Sequence, residues 1–229
     1  MLALAVIPVF LSTVLAVATK RSSRCDLSSA RIEVPWNQTQ LVAPSDGPSF
    51  IGVAIGFQNY TCGSAGNYSN VGAVAELFDV SCLYGKAEFD SVQQIAYDAW
   101  KFSLPIVPFS EVIEKVETFH ASPLLGQHFF IPSPSGTGIS PVWNFASAAL
   151  AGHADAFVLA AKVGDVPAPT GPPNVDWLSL NRADGNLAKQ IFRVATVGGL
   201  PPSSCKPGTP PISVKYASTY WLFGSSVQQ

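Results

Sequence analysis

Asp176-Trp177-Leu178-Ser179-Leu180 leads to a turn at Asp184-Gly185 and then to Ile191-Phe192-Arg193-Val194-Ala195-Thr196-Val197. A Gly198-Gly199 break and the loop Pro201-Pro202-Ser203-Ser204-Cys205 follow, and the stretch closes on Val214-Lys215-Tyr216-Ala217-Ser218-Thr219-Tyr220-Trp221-Leu222-Phe223. Each run is short, rich in β-branched and aromatic residues, and bounded by Gly, Pro, Asn or Asp. Those are the marks of strands joined by turns.

Upstream the same grammar recurs. Phe50 to Tyr60 reads as a strong strand whose Gly52 and Gly56 suggest a bulge or the close approach of another backbone. Residues 71–83 form a second apolar run, too alternating for a helix, and residues 31–35 suit a short edge strand stopped by Pro35. Residues 126–132, 141–145 and 156–163 read as further strands. One helix stands out: Phe89, Val92, Ile95, Ala96, Ala99 and Trp100 recur at spacings of three and four, and Asp90 with Gln93 fits a capping box. Residues 110–118 suit a second short helix after Pro105 and Pro108. The fold class expected is mainly β: an antiparallel β-sandwich or barrel with one or two short helices.

The chain has 229 residues, 12% charged and 48% hydrophobic, with a formal net charge of −2. That suits one domain with a real core. No run of Lys and Arg exists to neutralise phosphates, so nucleic acid is not an expected partner. Leu2 to Ala16 is almost wholly apolar, and Ala16-Val17-Ala18 precedes Thr19-Lys20-Arg21. This is the pattern of a secretory signal peptide over residues 1–18, leaving a single secreted β-rich domain over 19–229 with no membrane attachment after cleavage.

Four cysteines, Cys25, Cys62, Cys82 and Cys205, fit an oxidising compartment, and they allow three pairings. Hairpin-like spacing favours Cys62–Cys82 with Cys25–Cys205. Without paired cysteine spacing, and with only His120, His128 and His153 beside them, no metal site is expected. The sequons at Asn37, Asn59 and Asn67 are candidate glycosylation sites.

His128, between apolar neighbours in a strand, is a candidate general base or hydrogen-bonding anchor in a pocket with Trp143, or a histidine satisfied within the sheet. Asp176 and Trp177 are further ligand-binding candidates, although an aspartate before a strand also serves a turn. No Gly-x-Ser-x-Gly elbow is present, and no catalytic residue set is assigned. The loops at 63–70, 119–125, 133–140 and 164–174 are low in charge and several are stiffened by proline, which lowers the ordering cost of docking.

The order Gln58-Asn59-Tyr60-x-Cys62, Gly126-x-His128-Phe129, Pro141-x-Trp143, Ala168-Pro169, Asp176-Trp177-Leu178-x-Leu180, Arg193-Val194-x-Thr196-x-Gly198-Gly199-x-Pro201-Pro202-x-x-Cys205 and Tyr216-x-x-x-Tyr220-x-x-Phe223 resembles domain-of-unknown-function family 3455. The resemblance runs from about Phe50 onward. It implies a secreted β-rich domain, of fungi or bacteria, with no established activity. Fungal members often carry a malate dehydrogenase label. Nicotinamide binding would need a glycine fingerprint between a strand and a helix, whereas Gly136-Thr137-Gly138 and Gly198-Gly199 lead into proline-containing loops, so no cofactor is expected.

The function expected is therefore a secreted non-enzymatic protein that recognises an extracellular macromolecule, such as a host protein, or a glycan through stiff loops, with a protease cleft as one fitting target. The rival is a secreted hydrolase or carbohydrate-active enzyme using His128 with a carboxylate.

Overall fold

The computed structural model describes residues 25–227 except residue 121, so the expected signal peptide lies outside the described residues. Eight antiparallel strands close into a barrel in which each strand pairs with its sequence neighbours and the last pairs with the first. They are β1 (Phe50–Cys62), β2 (Tyr68–Asp79), β3 (Leu124–Pro132), β4 (Ile139–Asn144), β5 (Phe157–Val166), β6 (Trp177–Asp184), β7 (Gln190–Gly198) and β8 (Ile212–Phe223). Closure removes every free sheet edge. The helices α1 (Val92–Lys101) and α2 (Phe109–Glu114) lie in the connection between β2 and β3.

Helix placement explains why β1 reads as a continuous apolar run while β2 alternates. In β1, Ile51, Val53 and Ile55 face outward into a core cluster with Val92, Ala96 and Trp100 of α1, and Ala54 faces the barrel interior. Both faces are buried, so both are apolar. In β2, Ala75 and Leu77 face inward, while Val74 is exposed and Glu76 half-buried on the other face. Gly56 is a site of close backbone approach: a Cβ there would sit 2.1 Å from the Val74 carbonyl oxygen of the neighbouring strand. Its own carbonyl accepts Trp100 Nε1–H at 3.0 Å, which locks α1 to the barrel wall.

Lys215 on β8 secures the far end of that helix. Its Nζ donates to the carbonyls of Trp100 at 2.8 Å and Lys101 at 3.3 Å, and lies 4.1 Å from the centroid of the Trp100 ring. A cation thus meets helix carbonyls that have no intrahelical partner. Lys215→Met keeps the packed stem and removes the donors, and should lower stability by about 1–2 kcal/mol. Urea unfolding checks this, with a lower midpoint at unchanged slope expected.

Several local expectations change. Residues 31–35 join no ladder: Ile32 is buried and Val34 packs against the outer cluster, so their alternation reflects one-sided burial against the barrel wall. The Asp90/Gln93 capping box does not form. Asp90 lies in a 3-10 stretch (Ala87–Ser91), Ser91 takes the N-cap position without a side-chain cap, and Gln93 Nε2 donates to the Asp90 carbonyl at 3.0 Å.

The disulfides are Cys25–Cys82 and Cys62–Cys205, which overturns the pairing favoured by spacing. The physical reason is β2, whose twelve residues separate Cys62 from Cys82. At about 3.3 Å per residue it spans roughly 40 Å and places those two cysteines at opposite ends of the barrel. Each then meets a partner at its own end. Among the described residues no helix is long and apolar enough to cross a membrane.

Candidate functional site

Strand direction alternates around the barrel, so the loops 63–67, 133–138, 167–176 and 199–211 all gather at one end. Three of the four loops singled out in the sequence ring this mouth, and the fourth, 119–125, lies at the opposite end. The interior is unevenly filled. Towards the helix-connection end it is plugged by Phe50, Leu77, Leu125, Phe145, Ile191 and Leu222. Towards the mouth the inward positions become polar and aromatic, and a cavity of about 520 Å³ opens. Eight-stranded barrels have an interior just wide enough to be filled by side chains or to hold one small ligand.

His128, Trp143 and Asp176 all line this cavity, from three different strand-and-loop segments. Trp177 does not. Adjacent residues of a strand point to opposite faces, so Trp177 turns outward and packs against the cluster beneath the helices. Its indole Nε1 is buried there with no hydrogen-bond partner among the described residues.

His128 on β3 faces Trp143 on β4 in register. Their rings stack with centroids 4.2 Å apart and planes 12° from parallel, and Tyr220 of β8 meets both edge-on or tilted. The imidazole Nδ1–H donates to the Val142 carbonyl at 2.9 Å, since a carbonyl can only accept. The neutral ring therefore carries its lone pair on Nε2. Burial, above all, holds the His128 pKa down to about 3; the Val142 hydrogen bond opposes this and the Arg193 charge adds to it. His128 is thus anchored to the sheet through Nδ1, and the residue lines the cavity.

Gln58 of β1 accepts Asn70 Nδ2–H through Oε1 at 3.1 Å, while its own Nε2 is buried with no hydrogen-bond partner among the described residues. Trp143 Nε1 is likewise unpartnered. Unsatisfied donors are costly, at roughly 1–3 kcal/mol each, and in native structures they call for an explanation.

Asp176 is placed at the rim by its neighbours. Arg193 on β7 donates to its carbonyl from Nη2 at 2.8 Å and Nε at 3.2 Å, Val175 N–H donates to the Gly198 carbonyl at 3.0 Å, and Gly198 N–H donates to Asn174 Oδ1 at 2.7 Å. A bulge in β7 allows this docking, with Ala195 at φ 49° and Thr196 donating to the Val175 carbonyl. Partial burial, then the neighbouring Asp165 carboxylate, raises the Asp176 pKa, and Arg193 and Lys162 oppose the rise. Lys162 in turn pairs with Asp165.

Gln58, Tyr60, Lys162, Asp165, Arg193 and Tyr220 were not singled out as site residues from the sequence. The signal was present in the inward period-two positions: Tyr216, Ser218 and Tyr220 share one face of β8, and Arg193 is a charge inside an apolar strand. Among the described residues no group of three or more His, Cys, Asp or Glu could hold a metal ion. Of the sequons, Asn37 and Asn67 are exposed, whereas Asn59 sits inside β1 with Oδ1 accepting Ser213 Oγ–H at 2.7 Å.

The family model described as a protein of unknown function (DUF3455) matches residues 44–224. Its span takes in all eight strands, both helices and every residue that lines the cavity. No curated protein and no solved structure matches the chain.

Proposed function

Since the chain belongs to the DUF3455 family, whose function is unknown, we propose its role from its own geometry: an exported binding protein that holds a small molecule in the mouth of the barrel. The observation that carries this reading is the cavity of about 520 Å³, within the 300–1,000 Å³ typical of ligand sites. Its walls are mostly apolar and aromatic, with a few polar and charged side chains among them. Export is supported by the two disulfides, which persist in oxidising compartments.

Recognition of an extracellular macromolecule by the loops becomes a second reading, favoured by one observation. The loop at 63–67 is tied to that at 199–211 by Cys62–Cys205 and by the Cys205 N–H to Gly66 carbonyl bond at 2.8 Å. A rim braced in this way would lose little entropy on docking a chain end or side chain into the mouth. The hydrolase reading draws less support, because the Nδ1 that would pair with an orienting carboxylate is committed to the Val142 carbonyl.

Ala160 is buried on the cavity wall, so Ala160→Phe should fill the space a ligand needs. Wild-type protein should bind an environment-sensitive apolar fluorophore at one per barrel, and Ala160→Phe should weaken that binding at least ~30-fold, the scale of about 2 kcal/mol of lost apolar burial. Ala161→Trp, nearer the rim, serves if the first variant folds poorly. Equal binding by folded wild-type and filled variants would remove the cavity as the site.

A further inference from the structure

We propose that the mouth end of the barrel docks on a neutral lipid surface, with the loop at 102–106 as its wedge; this goes beyond the cavity reading and does not depend on it. The contact is peripheral and departs from the sequence expectation of no membrane partner. The first support is where exposed apolar side chains lie. Phe102, Leu104 and Ile106 are 81%, 64% and 87% exposed, within a stretch, residues 102–110, that holds no charge. Their connection leaves β2 at the closed end, but α1 carries it up the outer wall towards the mouth. Tyr97 lies against Gly198, the last residue of β7, and Lys215 holds the carbonyls at the helix end. On other sides of the barrel Val71 of β2, Ile139 of β4 and Val163 of β5 stand exposed in the mouth-side halves of their strands. Trp36, 94% exposed, belongs to the loop 35–41, whose Gln40 bonds to Asp165 and Ser179 near the mouth ends of β5 and β6. A protein partner covers one patch, whereas apolar groups spread around a rim suit a planar apolar medium, with tryptophan at its interface.

The second support is charge. The mouth loops 63–67, 133–138, 167–176 and 199–211 carry only Asp176 and Lys206, whereas Lys86, Glu88, Asp90, Asp155 and Lys189 are exposed towards the closed end. Lys162 and Asp165, just below the rim, pair with each other. Few charges at the mouth end would therefore leave water on docking, which is the costly step. Lys101, exposed at the base of the wedge, has the reach to keep its ammonium among the headgroups. The third support is the backbone of the wedge. Pro105 and Pro108 have no N–H, Ser103 N–H donates to the Trp100 carbonyl at 3.1 Å and Val107 N–H to the Leu104 carbonyl at 3.0 Å. The Ser103 carbonyl accepts Lys215 Nζ–H. Polar backbone satisfied within the protein is what an apolar medium demands. In this pose the cavity opens onto lipid.

Co-sedimentation with phosphatidylcholine vesicles tests the assignment, using protein without N-glycans because Asn37 and Asn67 lie towards the same end. Wild type should sediment with the vesicles equally in low and high salt. The double variant Phe102→Asp/Ile106→Asp should bind at least ~30-fold more weakly, since two side chains lose their apolar burial. Both positions are exposed, and Leu104→Ser/Ile106→Ser serves if the first variant does not fold. Failure of wild type to sediment, or equal binding by the variants, overturns the proposal. So does binding that needs phosphatidylglycerol and vanishes in salt, which is electrostatic attraction. Pairing of two copies through the wedge without vesicle binding, read by analytical ultracentrifugation, overturns it as well. None of these outcomes bears on the fluorophore test of the cavity, which is run without lipid.

Discussion

The double variant Cys62→Ala/Cys205→Ala should lose about 4–5 kcal/mol of stability, with Tm falling by roughly 10–20 °C for a domain of this size. The bridge closes a loop of 143 residues, so its removal returns a large conformational freedom to the unfolded chain. The folded barrel should keep its topology, because β1 and β8 remain zipped from Phe50↔Leu222 to Tyr60↔Ile212. What loosens is the rim, where Cys205 also donates its N–H to Gly66. Scanning calorimetry with far-ultraviolet circular dichroism checks both halves. A loss below ~1 kcal/mol would show that this bridge does not constrain the unfolded chain. The matching change at Cys25 and Cys82, across 57 residues, should cost somewhat less, about 4 kcal/mol on the same reasoning.

Acid should destabilise this protein through His128 well before its carboxylates titrate. The folded-state pKa of about 3 lies below the ordinary 6.5, so between those values the unfolded chain binds a proton that the folded chain refuses. Stability from this group is therefore fully present above pH 6.5 and falls as the pH drops through 6.5 towards 3, at up to ~1.4 kcal/mol per pH unit. Between pH 7 and 4.5 the loss should reach about 2–3 kcal/mol. Asp176 works in the opposite sense, since its raised pKa lets the folded state take up a proton just above the usual carboxylate range, but it lies at the solvated rim. His128→Gln retains a donor for the Val142 carbonyl and removes the titration. The variant should lose about 2–3 kcal/mol less than wild type over the same interval, read from urea unfolding at each pH. Parallel losses in the two proteins would contradict the buried neutral imidazole.

Much of this barrel could be read from the chain, because strand signals are local. The runs at Phe50, Gly126, Pro141 and Ile191 each carried their own turns, and every one became a strand. Closure was not legible, since nothing local distinguishes a barrel from a sandwich; it depends on β1 finding β8 across the whole chain. The cysteine pairing failed for a related reason. Spacing along the sequence suggested a hairpin bridge, while the intervening strand carries Cys62 and Cys82 to opposite ends. At the site, His128 and Trp143 were visible as polar and aromatic residues in apolar strands. Their partners were not, because Gln58, Arg193 and Tyr220 converge only after the sheet curls. Asp176 and Trp177 show the limit most simply: neighbours in sequence, they part to opposite faces when β6 begins.

The claim that the mouth of the barrel is a ligand site is tested most directly by following isotope-labelled wild-type protein by NMR as 2-naphthol is added. The Trp143 indole N–H and the Gln58 side-chain amide belong to residues that line the cavity and report on it, and the indole of Trp177 serves as an internal control on the outer wall. Saturable shifts centred on Trp143, Gln58 and His128, with Trp177 unmoved, are the result this structure predicts. Shifts confined to the outer surface, or a Trp143 indole that stays still through the titration, would contradict it.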